Sequence, residues 1–146
     1  MNPQYNIAVY GTLMSGHFRS EAALSPYAEL QGPCVIRGDL YAVGFGAFPA
    51  LRKGTGEVKG ELWRALSLEH LTEMLKMTDS IEGYRANDEG RSMYLRRMVQ
   101  LVEPDVTAWT YVWNSDGMRL HPIPSGDWRE YAARERDAWR GTWSAA

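Results

Sequence analysis

The chain has 146 residues, a formal net charge of −2 and a sequence pI of about 5.9. Hydrophobic residues make up 45% and charged residues 23%, which describes a folded globular chain and excludes a disordered one. The acidic balance lacks the basic footprint of a nucleic-acid binder, the lone Cys34 excludes a disulfide framework and a cysteine-rich zinc site, and no apolar run approaches the ~20 residues of a membrane helix.

The opening Met1-Asn2-Pro3-Gln4-Tyr5-Asn6 has neither a basic nor an apolar targeting segment. A soluble, cytoplasmic protein with no nucleic-acid and no membrane partner is expected, built as one domain over residues 1–146. Ile7-Ala8-Val9-Tyr10 is a buried strand stopped at Gly11, and Ser20 to Leu24 forms one or two helical turns before Pro26. Cys34 to Val43 has strand residue types interrupted by Gly38, after which Gly44, Gly46 and Pro49 break regular structure. Val58 to Leu66 is a further strand carrying Gly60, a position typical of a bulge or close backbone approach. Ser67 is a good N-cap, and Leu68, Leu71, Met74 and Leu75 give a helix to about Met77.

Met93–Val102 and Thr107–Trp113 alternate as the arms of an antiparallel hairpin, with the neighbouring Arg91, Arg96 and Arg97 on a solvated strand face. Asn114-Ser115-Asp116-Gly117 is a turn, and Gly126-Asp127 precedes a polar helix from Trp128 to about Arg140. The class is α+β, a small mixed β-barrel or curled sheet with flanking helices.

Four segments carry candidate chemistry. Tyr10-Gly11-Thr12-Leu13 is either an ordinary strand-ending turn or a nest of backbone N–H groups for an anion such as a carboxylate. Asp79-Ser80-Ile81-Glu82-Gly83-Tyr84 places a carboxylate in a loop after the helix. Ile81 and Tyr84 there can desolvate Glu82 and raise its pKa toward neutrality. Tyr94 and Arg96 share one face of a strand, suited to orienting a polar substrate, and Tyr111 is either a core aromatic or a pocket wall. His70 and Glu73, spaced i,i+3, have no second histidine nearby, so no metal site and no cofactor is expected.

In order, Tyr10-Gly11-Thr12-Leu13, Gly60-Glu61-Leu62, Asp79-x-x-Glu82-Gly83-Tyr84, Tyr94-x-Arg96, Tyr111-Val112 and Ile123-Pro124-Ser125-Gly126-Asp127-Trp128 resemble the γ-glutamylcyclotransferase-like superfamily, including its plant avirulence-induced and butirosin-biosynthesis branches. The resemblance runs from about Ile7 to Trp128. It implies a small barrel with surrounding helices, a pocket floored by residues 10–13 that binds the α-carboxylate of a small-molecule γ-glutamyl substrate, and Glu82 as general acid/base. The implied reaction is attack of the substrate's free α-amine on its own γ-carbonyl, releasing 5-oxoproline and an amine. Tyr94 and Tyr111 orient Glu82 or close the pocket in this picture. The stretch 44–50 and the tail residues Trp139 and Trp143 are expected to shape the leaving-amine end. The competing readings are a non-catalytic small-molecule binding module on the same fold, which fold alone does not exclude, and a cyclotransferase acting on a different γ-glutamyl amine.

Overall fold

The computed structural model describes residues 3–44, 46 and 48–144. The elements run β1 (Asn6–Val9), α1 (Phe18–Ala23), β2 (Ala28–Val43), β3 (Phe48–Ala65), α2 (Leu68–Glu82), a 3-10 turn (Glu89–Arg91), β4 (Tyr94–Gln100), β5 (Thr107–Trp113), β6 (Leu120–Pro122) and α3 (Trp128–Ser144). Six strands form one sheet in the order β4-β5-β1-β3-β2-β6. Every neighbouring pair is antiparallel except β1 and β5, which are parallel.

β1 is short and almost wholly apolar because it lies in the middle of this sheet, between β3 and β5, with Ile7, Ala8 and Val9 buried. Beyond β4 the chain folds back to β2. There Val35 N–H donates to Glu103 O at 2.7 Å and Val102 N–H to Val35 O at 2.9 Å. The sheet is thus a curled half-barrel, stitched at this bridge and flanked by helices, and the α+β expectation holds.

α2 packs against α1 and against β2 and β3, burying Leu71, Met74 and Thr78. Its start is the expected one, with Ser67 Oγ accepting from His70 N–H at 3.2 Å. Its end is not. The helix continues through Asp79 and Glu82 and stops at Gly83, whose φ of 66° is the left-handed C-cap conformation that favours glycine. The segment expected as a loop is therefore the last helical turn. Thr78 sits fully buried at a position where the apolar stripe would have continued, which hid that turn.

Pro49, expected to break regular structure, lies inside β3 near its start, and β2 begins at Ala28 rather than Cys34. Both extensions pair across the β2–β3 hairpin, whose register shifts at Gln31 and at Gly38. No helix among the described residues is long and apolar enough to cross a membrane.

Candidate functional site

A cavity of about 230 Å³ opens where the end of β1, the last turn of α2 and the starts of β3 and β4 converge. Its walls include Tyr10, Gly11, Thr12, Leu13, Glu82, Tyr94 and Tyr111, together with Arg19, Phe48, Pro49, Ile81 and Met93. The seven residues singled out from sequence are thus brought to one place from four separate stretches of chain.

The floor is a tight turn, closed by Met14 N–H donating to Gly11 O at 3.0 Å. Among the described residues, the N–H groups of Gly11, Thr12 and Leu13 donate to no other protein group. Gly11 is required for closeness rather than for an unusual φ, since a Cβ there would lie 2.3 Å from Pro49 Cγ. The far end of the loop is held by Glu61, which accepts from both Ser15 N–H and Ser15 Oγ–H at 2.6 Å. Arg129 reaches the same serine and glutamate from α3. Glu61 thus explains the Gly60-Glu61-Leu62 segment in structural terms.

The tyrosines are fixed scaffolding as well as walls. Tyr10 donates to Tyr111 O at 2.6 Å and Tyr94 donates to Pro49 O. Tyr94 also meets Trp113 edge-on, ring centroids 5.1 Å apart. The Tyr111 hydroxyl lies 2.6 Å from both Thr78 Oγ1 and Asp79 Oδ1. Asp79 is in turn paired with Arg96 at 2.9 Å. Arg96 is therefore not on a solvated strand face. It is largely buried, its guanidinium 4.6 Å from the Trp109 ring centroid, and it braces the helical turn that carries Glu82. Arg97 does face solvent, paired with Glu89 at 2.8 Å.

Glu82 projects into this apolar and aromatic enclosure. Burial pushes its carboxyl up to about 7, against the opposing pull of the Arg19 charge. Burial, and the nearby Glu82 charge, also push the Tyr10 and Tyr94 hydroxyls upward, so both remain proton donors at neutral pH. A carboxyl poised near 7 can accept and return a proton without a large penalty in either direction.

Arg19 is the residue that sequence reasoning missed. It lies on α1, donates from Nη1 to Thr12 Oγ1 at 3.0 Å, and lines the cavity. Its local sequence, His17-Phe18-Arg19-Ser20, carries no motif that marks it. His70 and Glu73 lie outside the cavity lining, and no group of three His, Cys, Asp or Glu among the described residues could hold a metal ion. The expectations for Phe45, Ala47 and the side chains of Trp139 and Trp143 lie outside the described residues.

Residues 7–130 match the family model described as gamma-glutamyl cyclotransferase, AIG2-like. A Vibrio cholerae protein named "Putative gamma-glutamylcyclotransferase" is 29% identical over 126 residues, covering 86% of this chain and 96% of that one. The solution structure of ytfP from Escherichia coli is 32% identical, covers 84% of this chain and 95% of its own, and superposes with a TM-score of 0.56. The crystal structure of PH0828 from Pyrococcus horikoshii is 24% identical, covers 91% and 97%, and has a TM-score of 0.61, a likeness of fold.

Proposed function

The chain belongs to the gamma-glutamyl cyclotransferase, AIG2-like family, and on that premise we propose that it cleaves a γ-glutamyl amide by intramolecular aminolysis, releasing 5-oxoproline and an amine. The observation that carries this reading is Glu82. Its carboxyl is held near 7 by burial, in the same cavity as the unpartnered N–H groups of Gly11, Thr12 and Leu13. Those N–H groups anchor the substrate's α-carboxylate. The glutamyl chain then folds so that its α-nitrogen approaches its γ-carbon, and holding the two in contact removes most of the entropic barrier.

Glu82, as the carboxylate, takes a proton from the attacking nitrogen as the C–N bond of the five-membered lactam forms. As the acid, it returns that proton to the departing nitrogen as the original amide bond breaks. General acid/base help of this kind is worth about 10²–10⁴-fold. Tyr10 and Tyr94, fixed by their bonds to backbone carbonyls, wall the reacting atoms. The setting proposed is the cytoplasm, where Cys34 stays reduced.

The test is release of 5-oxoproline from glutathione, γ-glutamyl-alanine, γ-glutamyl-ε-lysine and a γ-glutamyl alkylamine, with Glu82→Gln alongside. Glu82-dependent release establishes the reaction, and the ranking identifies the leaving amine. Binding without release by the folded protein would instead favour a binding module.

A further inference from the structure

Arg19 is the only cationic side chain among the described residues that line the cavity. It is partly buried, yet among the described residues it forms no ion pair with a carboxylate, whereas the other enclosed arginine, Arg96, is paired with Asp79. One of its nitrogens is tied to Thr12 Oγ1 at 3.0 Å. That bond places the guanidinium beside the turn whose N–H groups, at Gly11, Thr12 and Leu13, also have no partner among the described residues. Two kinds of unspent donor, one charged, therefore converge on the same corner of the cavity. A cation without a direct ion-pair partner among the described residues and a nest of amides side by side are suited to a single carboxylate.

We propose that Arg19 is the specificity-determining residue of this pocket, binding the α-carboxylate of the γ-glutamyl group jointly with the turn and so excluding substrates whose α-carboxyl is blocked as an amide. This inference rests on the proposed function and assigns the anchor of the same site. It has a consequence for Glu82. The Arg19 charge pulls the Glu82 carboxyl down. A bound carboxylate neutralises that charge, so Glu82 becomes a stronger base once substrate is in place. The acidic limb of kcat then lies at higher pH than that of kcat/KM.

The experiment titrates the full chain with 5-oxoproline and with its carboxamide, following binding by NMR, in the parent, Arg19→Met and Arg19→Lys, with melting curves to check folding. The parent should prefer the carboxylate by roughly 10- to 100-fold, the range for one charge-assisted hydrogen bond. Arg19→Met should lose most of the preference, keeping only what the turn's N–H groups supply, and Arg19→Lys should keep a larger part of it. A folded Arg19→Met that retains the full preference, or a parent that binds both ligands equally, overturns the assignment. Should Arg19→Met fail to fold, Arg19→Lys decides: an undiminished preference there counts against the fixed guanidinium. Carboxylate preference without 5-oxoproline release from any γ-glutamyl compound would overturn the reaction and leave Arg19 in place. Release that is equally fast from α-amide substrates would do the reverse.

Discussion

Replacing Glu82 by glutamine should lower turnover by about 10²-fold or more and, at alkaline pH, stabilise the fold. The carboxyl lies at about 7 in the folded chain, against an ordinary 4.5, because burial penalises its charged form. That displacement corresponds to about 3 kcal/mol. The folded state keeps this proton where the unfolded chain has already lost it. The stability linked to protonated Glu82 is thus fully present below pH 4.5 and is lost as the pH rises to about 7. Glutamine stays neutral throughout, so the stability of the variant relative to the parent should rise by up to about 3 kcal/mol between pH 4 and pH 8. Urea unfolding of both proteins at pH 4, 6 and 8 reads this directly. In parallel, kcat/KM of the parent should fall on the acidic side of a pKa near 7, and Glu82→Gln should lose about 10²-fold or more. A stability difference that stays constant across the series would mean that Glu82 titrates like a surface carboxylate. Burial would then not poise Glu82 near neutrality.

Gly11→Ala puts a methyl group against Pro49 and forces the floor turn to move. A loss of about 1–3 kcal/mol in stability is expected, with a larger KM for any γ-glutamyl substrate, measured by unfolding and by steady-state kinetics. Asp79→Asn leaves the enclosed Arg96 without its counter-charge and weakens the partner of Tyr111. It should cost about 1–3 kcal/mol. Glu73→Gln, on the exposed pair with Lys76, should change stability by less than about 0.5 kcal/mol.

The strands and helices were legible in sequence where periodicity was unbroken. The β4–β5 hairpin, the Ser67 cap and the start of α3 at Trp128 all follow from local pattern. What failed was boundary and context. Asp79 to Glu82 looked like loop because Thr78, Asp79 and Ser80 are weak helix formers, and only packing against the sheet carries the helix through them. Pro49 looked like a breaker because a single strand gives no hint that a hairpin partner at Ala42 will hold it. Arg96 looked solvated because Asp79 and Trp109, which enclose it, are distant in sequence. Tyr10 to Leu13 and Glu82 were visible as an ordered set of motifs. Arg19 was not, since its importance comes from a turn seven residues earlier folding back over it.

The central position of β1 bears on how the molecule is made. β1 carries the cavity floor at its end, but both strands that flank it, β3 and β5, come later in the chain, with Ile7 opposite Trp63 and Trp109. During synthesis β1 must therefore wait about fifty further residues for β3 and about a hundred for β5 before both of its edges are paired. Such distant pairings are slow to form, because loop closure precedes any reward from the contacts. Binding competence should consequently be among the last properties to appear on refolding, well after α2 and the β4–β5 hairpin have formed from their own neighbours.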